Sequence, residues 1–252
     1  MRGTAVNLCA AGVVSGLLLA VVPASAQSLV RINVDFVGVA SSQDSQEVVQ
    51  RTTLFREIST GAVAYPVLPT VKGLKGGITF GRTFAVGVNL DFINYEQTAG
   101  LAISIPHPLF FNRPGTDVAV SEVLDRKDRN VDIRAVYIAP TPQEWSVQVF
   151  GGPTYLSVKE DRIGGILYNQ SAPASGANNV TITSTLKDTV SGSTWGFNVG
   201  ADVGYFFTRH VGLGGQVSAN RGTVTLTDPF VDDDVDRSAG HVTFGGGLRL
   251  RF

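Results

Sequence analysis

The chain has 252 residues, of which 16% are charged; 20 Lys plus Arg stand against 21 Asp plus Glu, for a net charge of −1. That balance argues against a nucleic-acid partner, because no cationic excess is present to neutralise phosphates. The composition includes 29 glycines and a single cysteine, Cys9. After residue 26 no apolar run reaches the roughly 18 residues that a transmembrane helix needs.

Residues 1–26 read as a secretory signal. Arg2 supplies the positive start, residues 10–22 the apolar run, and Ala24-Ser25-Ala26 an A-x-A cleavage signal with Ala24 and Ala26 as its small residues. Lipidation of Cys9 is not expected, since Leu8 precedes it and the apolar run follows it. Residues 27–252 then form one domain that contains no cysteine and must be held by packing and hydrogen bonding.

From there the chain alternates with period two, apolar on one face and polar on the other, as strands do. The first run, 29–40, sets Val30, Ile32, Val34 and Phe36 against Arg31, Asn33 and Asp35. A second, 71–81, presents Leu74, Ile78 and Phe80 with Lys75 opposite; Arg82-Thr83 turns it into a third, carrying Phe84 to Phe92 outward and Asn89 and Asp91 inward. A fourth places Val131, Ile133, Ala135 and Tyr137 against Asn130, Asp132 and Arg134, and Pro140-Thr141-Pro142 ends it. The fifth begins at Trp145, with a bulge or bend expected at Gly151-Gly152-Pro153. The sixth runs from Trp195 to Phe207 with Asp202 inward, the seventh starts at Val211, and the eighth is 240–252 (GHVTFGGGLRLRF) with Arg249 and Arg251 inward. Bulky apolar residues on one face and Gly, Asn, Asp and Arg on the other invert a soluble sandwich. They predict an all-β protein, a closed antiparallel up-and-down transmembrane β-barrel of eight strands. Residues 47–64 leave open a β-extension of the first long connection or two further strands, making ten. Connections alternate: short at 82–83, 140–144 and 208–210, long at 41–70, 97–128, 159–193 and 227–239, which implies periplasmic turns, extracellular loops and both termini in the periplasm.

With the signal, the alternating strands and the terminal Leu248-Arg249-Leu250-Arg251-Phe252 in view, the chain resembles the outer-membrane β-barrel superfamily of outer membrane protein A and its small relatives. Within it, the stretches Ile105–Pro114 (IPHPLFFNRP), Val149–Pro153 (VFGGP) and Gly196–Val203 (GFNVGADV) resemble those of a single-barrel subgroup. Nothing matches the peptidoglycan-binding domain of outer membrane protein A itself. The resemblance implies a bacterial outer-membrane location and a monomer in contact with outer-membrane lipid and lipopolysaccharide. It also implies recognition of Leu248, Leu250 and Phe252 by the barrel-assembly machinery during biogenesis.

Arg31, Asp35, Lys75, Asp91, Asp132, Arg134, Asp202, Arg249 and Arg251 should form a luminal charge network. A small barrel is filled by its own side chains, and charges inside must pair. The sharper reading is a narrow channel lined by these groups. Catalysis is not expected: His107, His210 and His241 are scattered, and His241 with Thr243 only superficially resembles the His-x-Ser of lipid A deacylases. No cofactor or metal site is expected, and the Asp228–Asp236 segment, which lacks the EF-hand spacing, should be a solvated tip. Pro106, His107, Leu109, Phe110 and Phe111 form a candidate extracellular patch. Trp145 and Trp195 should belong to two interfacial girdles.

Overall fold

The computed structural model describes residues 29–41, 46–65, 71–111, 115–171 and 178–252. The expected signal segment with Ala24 and Ala26, and the stretch 112–114, lie outside them. The strands are β1 (Val30–Ser41), β2 (Gln46–Leu54), β3 (Glu57–Tyr65), β4 (Val71–Gly81), β5 (Phe84–Ile105) and β6 (Thr116–Ile138). They continue with β7 (Trp145–Ser171), β8 (Asn179–Phe206), β9 (Val211–Arg221), β10 (Thr223–Asp228), β11 (Asp233–Ser238) and β12 (His241–Arg251).

Eight of these close a ring in the order β5-β4-β1-β12-β9-β8-β7-β6, with β6 pairing back onto β5 and every neighbour antiparallel. The seam is tight: β1 meets β12 from Arg31↔Arg251 to Ser41↔His241. The eight ring strands are those that the alternation predicts. Residues 46–65 do not enter the ring. They form the β2–β3 hairpin, whose Thr60–Ala64 pairs with Gly100–Ser104 of β5 above the end of β4. Its turn residues Phe55 and Arg56 have φ of 53° and 67°, the left-handed geometry of a two-residue hairpin turn.

Three expectations need correction. The connections 97–128 and 159–193 are mostly strand, because β5–β6 and β7–β8 continue as hairpins well beyond the apolar band. The 227–239 connection is largely the β10–β11 hairpin. Of the bulge or bend expected at Gly151–Pro153, the bulge is absent: β7 follows β8 continuously there, its register shifts lie between Ile163 and Tyr168, and the irregularity is a gap in the ladder to β6. Pro153 lacks an N–H, and Ile133 and Arg134 are absent from the β6–β7 register opposite it.

The outer face is an apolar band with aromatic edges. At the short-turn end Phe84 packs on Tyr137 and Trp145 on Tyr205, with ring centroids 5.4 and 5.2 Å apart; at the other edge Tyr155 meets Trp195 at 5.4 Å. Outward residues from Phe84 to Phe92, at about 3.3 Å per residue and about 40° tilt, rise roughly 20 Å, and Trp195 to Phe207 roughly 30 Å. These bracket the roughly 25 Å apolar band of a membrane barrel. The two tryptophans therefore sit at opposite edges of the band.

The seam depends on glycine. A Cβ on Gly247 would lie 1.8 Å from the Val34 carbonyl oxygen, whereas one on Gly100 would meet nothing within 4 Å. Gly247→Ala should therefore cost about 1–3 kcal/mol by forcing β1 from β12, and Gly100→Ala should be tolerated. Urea unfolding of the refolded protein checks both.

Candidate functional site

Period-two alternation turns every second residue of the eight ring strands into the lumen, where one network of hydrogen bonds and ion pairs reaches all of them. Its centre is Lys75 on β4, fully buried. The Nζ donates to Asp91 Oδ2 of β5 at 3.0 Å and Ser218 Oγ of β9 at 2.8 Å, and lies 3.8 Å from Asp132 Oδ2 of β6. Asp132 also accepts from Arg134 Nη2 at 2.7 Å and Thr154 Oγ1 of β7 at 2.6 Å. Asn89 Nδ2 donates to Asp91 at 3.0 Å, and Asn33 Nδ2 spans Asn89 at 3.4 Å and Asp35 of β1 at 3.0 Å. Arg249 of β12 donates to Asp35 at 2.6 Å and, through Nε, to Asp202 of β8 at 2.9 Å. Ser218 and Thr243 share a 2.6 Å hydrogen bond.

The structure thus gathers Asp35, Lys75, Asp91, Asp132, Arg134, Asp202 and Arg249 into one network. Among the described residues it does not pair Arg31 or Arg251 with a carboxylate. Arg31 Nη1 donates to the Gly81 carbonyl at 3.1 Å. Half-buried Arg251 donates to the Arg209 carbonyl and lies 3.9 Å from the Phe206 ring. Both belong to the short-turn mouth, where strand ends offer carbonyls. Beside the network a small, partly open cavity of about 30 Å³ lies among Arg31, Arg134, Asp202 and Arg249, room for about two waters.

A second charged layer, not anticipated above, lies above the upper aromatic edge. Arg126 pairs with Asp128 at 2.9 Å and Glu160 at 3.0 Å; Arg162 pairs with Glu160 at 2.7 Å and with Asp228; and Arg237 Nε lies 3.6 Å from Glu160. The Tyr65 ring lies between Arg162 and Arg237, 5.1 and 5.5 Å from their guanidinium carbons. Burial pushes the Tyr65 hydroxyl up to about 12. Burial would also raise Glu160, but Arg126, Arg237 and Arg162 outweigh it and hold the carboxyl below the usual range. Asp228 is therefore not part of a solvated tip. It is fully buried, because the β10–β11 hairpin turns Val224, Leu226 and Asp228 inward. Phe230 of the same hairpin packs with Val63, Tyr65, Leu101, Leu124 and Ile163 in an apolar cluster. Asn130 and His241, 3.3 Å apart, bridge the levels between the two networks.

The candidate patch divides. Pro106 and His107 are buried, and His107 Nδ1 accepts from the Leu109 and Phe110 amides at 3.1 and 3.2 Å. Only Leu109 and Phe111 are largely exposed. At the other end Phe252 is exposed, Leu248 is 40% exposed, and Leu250 is half-buried.

A closed ring of eight strands, an apolar belt with aromatic edges and a polar, charge-paired interior now stand together. The fold is that of the small outer-membrane β-barrels. No family model and no curated protein matches the sequence. Among solved structures, the chain is similar to the outer membrane protein OprG from Pseudomonas aeruginosa at 12% identity, covering 90% of this chain and 96% of that one, with a TM-score of 0.49. It is similar to Ail, the attachment invasion locus protein of Yersinia pestis, at 11% identity, 89% and 100% coverage and a TM-score of 0.38. The outer membrane protease OmpT from Escherichia coli gives 11%, 89% and 97%, and 0.39. The assignment of the fold rests on the closure and the girdles rather than on these scores. A small barrel of this kind carries its function in sites that the fold does not specify.

Lys75→Met should leave Asp91 and Asp132 buried without their lysine and cost about 3–5 kcal/mol. The exposed Lys187→Met, which loses a surface pair with Glu122 and an exposed hydrogen bond to the Val123 carbonyl, should change little. Chemical denaturation distinguishes them. Because Glu160 is depressed in the folded barrel, its stabilisation is present above the unfolded carboxyl pKa of about 4.3 and is lost as pH falls through the folded value. Glu160→Gln should lower stability at neutral pH and flatten the acid limb of a stability-against-pH curve.

Proposed function

We propose that the protein is a monomeric bacterial outer-membrane barrel without catalytic activity, whose lumen is a structural plug and whose recognition surface is the set of hairpins above the membrane. The observation that carries this reading is the side-chain network that reaches all eight ring strands, with a cavity of only about 30 Å³ among Arg31, Arg134, Asp202 and Arg249. Ions would have to displace salt bridges whose loss exposes buried charge. The short turns at Arg82–Thr83, 139–144 and 207–210 would face the periplasm and the long hairpins the exterior. Leu248, Leu250 and Phe252 would serve recognition by the assembly machinery, and lipopolysaccharide would surround the outer half. His241 and Thr243 support no deacylase reading: both are buried in the lumen, one beside Asn130 and the other bonded to Ser218.

Refolded protein in a planar bilayer should give no steady unitary current. Asp91→Ala and Arg134→Ala should lower the temperature at which compact, detergent-resistant gel mobility is lost. Uniform steps altered by these substitutions would overturn the plug and make the lumen a channel.

A further inference from the structure

Above the Tyr155–Trp195 edge the outward faces of β5 to β8 change in registered rows. The first places Phe92, Arg129, Ser157 and Ser193 side by side. The next outward row is Asn94, Lys127, Lys159 and Ser191, and the one above it sets Glu96 opposite Asp125. Lys127 and Lys159 are direct cross-strand partners, and both are exposed. Like charges directly opposite on one sheet face are about 5 Å apart at Cβ and repel.

Among the described residues no carboxylate lies within 4 Å of Lys127, Lys159 or Arg129, although both luminal layers are built from such pairs. Arg129 is held in place rather than neutralised: Nη1 donates to the carbonyls of Ile93 at 3.3 Å and Asp128 at 3.1 Å, and its guanidinium carbon is 5.3 Å from the Phe92 ring centre. Three positive charges thus stand without a direct ion pair among the described residues, one step above an aromatic girdle and one row below Glu96, Asp125 and Asp161, at the depth of the lipid headgroups.

We infer that Arg129, Lys127 and Lys159 bind the phosphate of a phosphorylated lipid in the surrounding leaflet. This rests on the membrane-barrel reading above. A phosphate between the two lysines removes their repulsion and accepts from the Arg129 guanidinium. The Asn94 amide and the hydroxyls of Ser157, Ser191 and Ser193 border it as polar neighbours. Below, Phe92, Val131, Tyr155 and Trp195 offer an apolar surface to the acyl chains. Glu96 and Asp125 above repel an anion and fix its depth. The charge order from the girdle upward, aromatic, cationic, acidic, selects an amphiphile with its anion at the chain–headgroup boundary.

The test uses the full barrel in detergent micelles, with Trp145→Phe so that Trp195 reports binding. The probes are bisphosphorylated lipid A and the same lipid with its phosphates removed. The phosphorylated lipid should bind more tightly by about fivefold per engaged cation. Lys127→Gln/Lys159→Gln/Arg129→Gln should lose roughly a hundredfold, Lys127→Arg/Lys159→Arg should keep affinity, and Lys187→Gln should be silent. Equal binding of the two lipids, or wild-type affinity in the triple variant with normal compact gel mobility, overturns the inference. Full competition by millimolar inorganic phosphate would also overturn it, making this a free-anion site. Failure of the wild type to insert into vesicles would instead sink the barrel reading itself.

Discussion

The rest of the barrel depends on where Lys75 puts its charge. A lysine with no exposed surface survives ionised only if counter-charges and hydrogen bonds replace its water shell. Here Asp91, Asp132 and Ser218 do so from three different strands. Each of those partners is tied onward: Asp91 through Asn89 and Asn33 to Asp35 and Arg249, Asp132 to Arg134 and Thr154, and Ser218 to Thr243. The mature chain expected from its sequence has no cysteine, since Cys9 falls in the signal segment. Cross-linking is supplied by charge and hydrogen bonds: Lys75–Asp91 ties neighbours across a short turn, while Lys75–Ser218, Arg249–Asp202 and Arg249–Asp35 join strands far apart in sequence.

The outer surface follows a simpler rule. Lipid asks only for apolar area, and the alternation supplies it from Phe84 to Phe92 and from Trp195 to Phe207. Past the girdle lipid ends and polar residues return outward, at Asn94 and Glu96 on β5 and at Lys127 and Asp125 on β6. The pairing continues without interruption, because backbone hydrogen bonding does not depend on which solvent the outer face meets. The sheet therefore stands clear of the membrane as hairpins. Inside them a second core forms, apolar around Tyr65 and Phe230 and charged around Glu160.

That second core is also where reading from sequence stopped. The eight ring strands were legible because apolar-out, polar-in contrast is strong within the band. Above it both faces carry charge, so residues 97–128 and 159–193 look like loops. The inward set Leu124, Arg126, Asp128, Asn130, Asp132, Arg134 nevertheless keeps period two throughout, and following it would have extended β6 and exposed Arg126. On β7 the register shifts between Ile163 and Tyr168 interrupt the same signal. Asp228 was hidden as one of five aspartates between 228 and 236; only the alternation Val224, Leu226, Asp228 marks it as inward. The charged residues of the lower lumen were legible as a set, but not their partners. Arg249 reaches Asp35 across 214 positions because barrel closure sets that register. Arg31 and Arg251 share the inward parity yet lie at the mouth, a matter of height that parity does not encode.

One consequence concerns the order of assembly. Arg249 sits on β12 and is the cation that meets both Asp35 on β1 and Asp202 on β8. A sheet open at the β1–β12 seam still holds Arg249 near Asp202 across β9 but leaves Asp35 of β1 without its cation, and an unpaired carboxylate resists transfer into hydrocarbon. Pairing of β12 with β1 brings Arg249 to Asp35 and removes that penalty. The seam thus acts as a checkpoint: the curled sheet becomes compatible with its lipid surroundings only as its two ends meet.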